Sequence, residues 1–493
     1  MRKTLIAVGL FVCPALVGAQ TSVPTSLSLP DAIAIARDNN PAYRQTLATR
    51  TASLWNARSA WANLFIPQAT ASGSIGYSGA GSQNFLATSF SQPVSTASSN
   101  YNISLNWQLS GQTLAAPGQA HANADAVDAD IVGARATLIN NVTAQYLTAL
   151  QSRDNASVTA KQLESTDEAL KLAQAKYAVG SGTLLDVRQA QVNRGQAEVA
   201  LLTAQTDVQV QKLRLFELMG VSAPADIKTI TLSDTFPVAE PHWSLDELLA
   251  TAQAENPQLQ ALESRASAQK WAVRAATSSY GPSVSLSAGW SGFTQRFNNL
   301  DPIILSNQVQ VAGAHAACET NDSIRAGAGL TPFNNCDQRY TWGAADTRAL
   351  TDENSRYPFH FTQQPFQASI RVSIPLWSNF QQPIAVSQAK ANQEQADQAA
   401  RAQSLGLRTL VQNGFLTLQT AYQTIAIQDT NRTAAQDGLK LATDRYRVGS
   451  GTFLDVVNAQ VADAKAESDY VTAVYNYHKA RAALEAAVGK PLN

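Results

Sequence analysis

The chain has 493 residues, with 36 basic and 37 acidic side chains and a formal net charge of −1. That balance leaves no basic surface of the kind that holds nucleic acid phosphates. Only 15% of residues are charged, while Ala, Gln, Ser and Thr abound; small residues let long helices approach closely and make a thick globular core hard to build.

At the start, Arg2 and Lys3 precede an apolar run from Leu5 to Val17, and Val17-Gly18-Ala19 offers small residues before Gln20. Residues 1–19 read as a secretory signal peptide, too short for a good membrane span. Cys13 lies inside that run as apolar filler. No later stretch is apolar over eighteen residues, so no transmembrane helix is expected.

The mature chain then runs through two halves, 20–241 and 242–493. The first opens with SLPDAIAIARDNNP from Ser28 and continues as a helix from about Pro41 to Phe65. A strand follows at about 68–80, a Ser/Gln/Asn-rich loop near 81–99, and a second strand at 100–110. There Tyr101, Ile103, Leu105, Trp107 and Leu109 alternate with Asn102, Ser104, Asn106, Gln108 and Ser110. No proline lies between Pro117 and Pro224, and apolar residues recur at three- and four-residue steps. That segment reads as a helical hairpin at about 117–220, its first helix roughly sixty residues or 90 Å long.

The second half opens with SLDELLATAQAENP from Ser244, followed by a helix at about 257–279 and a strand at 282–294. A loop at about 295–364 holds Cys318 and Cys336, an even pair in an exported chain that suggests a disulfide, two unpaired thiols being the alternative. A strand at 365–377 and a helical hairpin at about 383–489 complete the half. In each half the two shorter helices sum to about the length of the long one, which predicts end-to-end stacking alongside it.

The halves share wording as well as order. ALKLAQAKYAVGSGTLLDVRQAQV from Ala169 matches GLKLATDRYRVGSGTFLDVVNAQV from Gly438 without a gap. A period on this scale marks an internal duplication. Locally, Gly180 and Gly449 suit the left-handed end of a helix, and Thr183 with Asp186, like Thr452 with Asp455, form capping boxes opening the next helix.

Strands of about ten residues, one face apolar and the other hydroxyl or amide, suit a membrane β-barrel; a half-buried strand of a soluble sandwich shows the same alternation. Four strands cannot close a barrel, and open edges in lipid leave backbone groups unpaired. The chain must then borrow strands from copies of itself, eight from two or twelve from three.

These features resemble the outer-membrane efflux (TolC-like) family: the duplicated helix–strand–strand–helix plan, the Tyr-x-Val-Gly-x-Gly-Thr-x-x-Asp-Val tips, and Ser-Ile-Pro-Leu at Ser373–Leu376. The resemblance implies an α+β membrane fold and a homotrimer whose twelve-stranded barrel, four strands per chain, sits in outer-membrane lipid. A long periplasmic α-helical barrel would continue from it. The function implied is a passive exit duct for tripartite efflux or type I secretion, working with a periplasmic adaptor and an inner-membrane transporter. It also implies that Val179, Gly180, Ser181, Gly182 and Thr183, with Val448, Gly449, Ser450, Gly451 and Thr452, dock the adaptor. Asp455 would line the periplasmic gate. This sequence departs from the family pattern by carrying Asn458 where a second Asp is expected and Gly451 where an Arg is expected. Asp186 reads chiefly as a cap near that gate.

The five histidines fall at no metal-ligand spacing, and no catalytic constellation emerges, so neither enzyme activity nor a cofactor is expected. Two alternatives stand beside the duct: surface binding, in adhesion or phage contact, through the 295–364 loop, and a periplasmic coiled-coil scaffold.

Overall fold

The computed structural model describes residues 24–492 except 86, 87, 93 and 334; the expected signal peptide lies outside the described residues. The chain divides into a helical unit (24–57, 118–273 and 387–492) and a second unit built on a sheet (58–117 and 274–386).

The first half comprises β1 (Ser26–Leu27), α1 (Leu29–Asn39), α2 (Pro41–Phe65), β2 (Gln68–Ser78), β3 (Gly81–Phe85), β4 (Thr88–Gln92), β5 (Thr96–Leu109), α3 (Gly111–Ala178), α4 (Leu184–Met219) and β6 (Thr231–Leu232). The second comprises α5 (Leu245–Glu255), α6 (Pro257–Thr277), β7 (Ser283–Phe297), α7 (Asp301–Gly327), α8 (Cys336–Arg339), α9 (Ala344–Ser355), β8 (Thr362–Gln363), β9 (Gln367–Ser373), α10 (Gln381–Val448) and α11 (Phe453–Val488).

Helices α3 and α10 have 68 residues each and α4 and α11 have 36 each. At 1.5 Å per residue the longer pair span about 100 Å. The hairpin helix α3 begins six residues before Pro117, because Ser110 and Thr113 cap it by exchanging backbone and side-chain hydrogen bonds. Pro383 falls in the first turn of α10, where its missing N–H costs nothing.

The repeated Asn-Pro is a splice between helices. Asn40 donates from Nδ2 to the Leu218 carbonyl at the end of α4 (2.8 Å) and accepts from the Tyr43 N–H at the start of α2 (3.0 Å). Asn256 does the same for α11 and α6, through the Ala487 carbonyl (3.0 Å) and the Leu259 N–H (3.1 Å). Both asparagines are buried. One amide thus satisfies a carbonyl left over by one helix and an N–H left over by the next. Gly220 and Gly489 end α4 and α11 with φ of 72° and 83°. A Cβ on Gly220 would meet the Asn39 carbonyl at 2.5 Å, so that end of the splice closes only on glycine.

Three apolar clusters hold the helical unit. One gathers Leu27, Val142, Tyr146, Phe216 and Met219, and a second gathers Leu248, Leu259, Val411, Tyr477 and Leu484. The third, smaller and alanine-rich, lies near the helix ends and is described below.

In the second unit β2, β5, β7 and β9 form an antiparallel sheet in that order, with β8 also pairing β7. Apolar Ile75, Tyr77, Ile103, Trp290, Ile370 and Val372 stay exposed on one face. The sheet does not close on itself: among the described residues β2 and β9 each pair on one side only. The last strand ends at Ser373, short of the expected 377, since Pro375 has no N–H to donate.

The 295–364 segment differs from the expected loop. It is largely helical, in α7, α8 and α9, and the Cys318 and Cys336 sulfurs are bonded, with Cα atoms 5.8 Å apart. Between β2 and β5, β3 and β4 pair as a hairpin.

Candidate functional site at the helical tips

The two tips are built alike, bond for bond. In the first, the Ser181 and Gly182 N–H groups both donate to the Lys176 carbonyl, at 2.9 and 3.0 Å; in the second, Ser450 and Gly451 donate to Arg445, at 2.9 and 3.1 Å. The hydroxyls of Ser181 and Ser450 donate to those same carbonyls at 3.3 Å. Gly180 and Gly449 take φ of 73° and 84°, with nothing within 4 Å of an added Cβ. Gly182 and Gly451 are glycines for another reason: a Cβ would stand 3.0 or 3.1 Å from the Cβ of Lys176 or Arg445.

Both capping boxes close. Thr183 accepts from the Asp186 N–H at 3.1 Å, and Thr452 accepts from the Asp455 N–H at 3.2 Å while its own N–H donates to the Asp455 carboxylate at 2.9 Å. The Thr452 N–H, then its hydroxyl, and the nearby Arg445 charge hold the exposed Asp455 carboxyl below the usual range. Asn458 is exposed one turn further along α11.

Most of the shared phrase is thereby explained by local structure. Val187 and Val456 are also accounted for, as members of the third apolar cluster with Ala169, Ala173, Ala190, Tyr446 and Phe453. What the fold leaves over is apolar and exposed: Val179 and Val448 are 78% and 77% accessible, and Leu185 and Leu454 are exposed beside them. Within the shared phrase VGSGT-x-LDV the sequences differ at one position, where Leu184 is exposed and Phe453 is buried with its ring 5.5 Å from that of Tyr446.

Tyr446 was not singled out by sequence reasoning, yet it joins the two hairpins. Its hydroxyl donates to the Asp186 carboxylate at 3.5 Å, and Lys176 Nζ donates to its carbonyl at 2.7 Å while lying over its ring at 4.8 Å. Burial, then the Asp186 charge, push the Tyr446 hydroxyl up to about 12. The available signal was a tyrosine at the same place in both copies of the repeated phrase, Tyr177 and Tyr446; that the first is exposed and the second buried is a matter of the fold. Asp186 is therefore both a cap and the acceptor of a contact between hairpins. Beside the clasp lies a groove of about 500 Å³, bordered by Glu168, Leu172, Lys440, Thr443 and Asp463.

A duplicated chain with two equivalent helical tips and an open sheet apolar on one face has the architecture of outer-membrane channels. The family described as outer membrane efflux protein matches residues 32–221 and 340–490, and the chain belongs to that family. The chain is similar to outer membrane efflux protein BepC of Brucella suis biovar 1 (strain 1330), at 23% identity over 371 residues, 72% of this chain and 67% of that one. Among solved structures, it is similar in fold to the CmeC outer membrane channel of Campylobacter jejuni, with a TM-score of 0.69 and 14% identity, covering 94% of this chain and 85% of that one. It is likewise similar to the open state of the MtrE outer membrane channel of Neisseria gonorrhoeae, with a TM-score of 0.64 and 17% identity, covering 96% and 94%. Family membership places the protein in the cell outer membrane, with a long helical extension into the periplasm.

Proposed function

We propose that the protein is the outer-membrane exit duct of a tripartite efflux or type I secretion system. Three chains pool their sheets into a twelve-stranded barrel, and solutes delivered by an inner-membrane transporter pass through it passively. The observation that carries this reading is the sheet itself: two edges that pair with no other described strand, and one exposed apolar face. In lipid such edges must be paired, and copies of the same chain supply the partners. A periplasmic scaffold would have no use for that face.

The tips dock a periplasmic adaptor. Their supporting feature is the exposed Val and Leu that each turn displays in the same geometry, giving six equivalent surfaces per trimer. Asp455 supplies one carboxylate per chain to a ring at the periplasmic constriction. The tie of Lys176 and Asp186 to Tyr446 steadies the closed arrangement in place of an Arg in the second tip. Purified protein in a planar bilayer tests the duct: discrete trimeric channels are expected, and a folded preparation that never conducts would overturn it.

A further inference from the structure

Hydrogen bonds across the sheet identify its polar face. The Thr70 and Ser104 hydroxyls lie 2.8 Å apart, Ser74 donates to Asn100 at 3.1 Å, and the Ser287 and Ser369 hydroxyls meet at 2.8 Å. Alternate residues of a strand share a face. Arg371, two beyond Ser369 and paired with Ser285, therefore stands on this one. Every other position of the face in β2, β5, β7 and β9 is neutral: hydroxyl, amide, glycine or phenylalanine. The strands' other charge, Arg296, pairs with Ala97, which puts it on the opposite face and near the other end of β7. None of the four strands contains an Asp or Glu to neutralise Arg371, and its side chain is exposed.

We propose that Arg371 is a specificity-determining residue of the duct: one guanidinium per chain, three per assembly, forms a ring of positive charge in the barrel lumen. It favours passage of anionic solutes, those bearing carboxylate or phosphate groups. This rests on the trimeric barrel proposed above. A guanidinium keeps its charge at every physiological pH and binds such groups through paired N–H donors. Low-dielectric walls focus its field. The field reaches about 10 Å at 0.1 M salt and about 30 Å at 0.01 M, enough to span a lumen. Asp455 belongs to the helical unit and Arg371 to the sheet unit, so replacing Arg371 leaves the Asp455 carboxylate as it is.

The test is ion selectivity of purified channels in planar bilayers under a KCl gradient at low salt, comparing the natural protein with Arg371→Gln and Arg371→Lys. Arg371→Gln should raise the cation-to-anion permeability ratio about two-fold or more at ~0.01–0.1 M salt, an effect that screening removes near 1 M. Arg371→Lys keeps the charge and should keep the ratio. An Arg371→Gln channel with the natural ratio at low salt would overturn the inference, as would an Arg371→Lys channel that shifts as far as Gln does. Both substitutions are polar and exposed, so assembly should survive them. If the natural protein itself never conducts, the channel reading fails, a result distinct from conducting variants with unchanged selectivity.

Discussion

Replacing Gly449 by Val separates the shape of the tip from everything behind it. The residue holds φ of 84° with no atom within 4 Å of the new Cβ, so the whole effect is backbone strain. A non-glycine residue in that region costs about 1–2 kcal/mol. Relaxing to a negative φ instead forfeits the Ser450 and Gly451 bonds to the Arg445 carbonyl, worth about 0.5–1.5 kcal/mol each, which is a similar sum. Either way the loss is small beside the 5–15 kcal/mol of an ordinary domain. The cluster behind the tip, with Tyr446, Phe453 and Val456, is untouched. The expected outcome is a trimer that extracts normally, binds its adaptor poorly and fails to restore efflux in a deletion strain. Gly180→Val should do the same at the other tip, and the double variant should be worse than either. Full efflux and full adaptor binding by Gly449→Val would refute the docking role.

Asp455→Asn should lower cation selectivity at the periplasmic end, read as a changed reversal potential in a salt gradient; an unchanged potential would leave the carboxylate as a helix cap only. Tyr446→Phe removes the hydroxyl bound to Asp186, about 0.5–1.5 kcal/mol per chain, and should raise the open fraction in single-channel records. Natural gating in that variant would reject the tie between hairpins. Asn256→Ala strands the buried Ala487 carbonyl and Leu259 N–H and should destabilise the extracted protein by about 2–4 kcal/mol; a loss under about 0.5 kcal/mol in thermal unfolding would contradict the splice. Cys318 and Cys336 should resist thiol labelling until reduced, and two labelled thiols in the untreated protein would show the bridge absent.

The helices were legible because their punctuation is local. Pro41, Leu184, Pro257 and Phe453 open the shorter helices where capping and proline signals place them. The strands were legible from their period of two. Three things were hidden. Helix α7 has no buried residue, and Leu305, Val309 and Ile324 remain exposed, so no apolar stripe set it apart from its surroundings. The Tyr446–Asp186 contact joins residues 260 apart, a separation no local pattern reports. The second glycine of each tip follows from a 3 Å approach to the preceding helix, which only coordinates reveal. The same holds for the serines, whose hydroxyls donate to the Lys176 and Arg445 carbonyls.

The proposed barrel depends on two further copies of the chain pairing with the open edges of the four-stranded sheet. Native mass measurement of the protein extracted from outer membranes into detergent tests it most directly. Three chains per particle are expected, held together without crosslinking. A stable, folded monomer would contradict the barrel, and with it the duct.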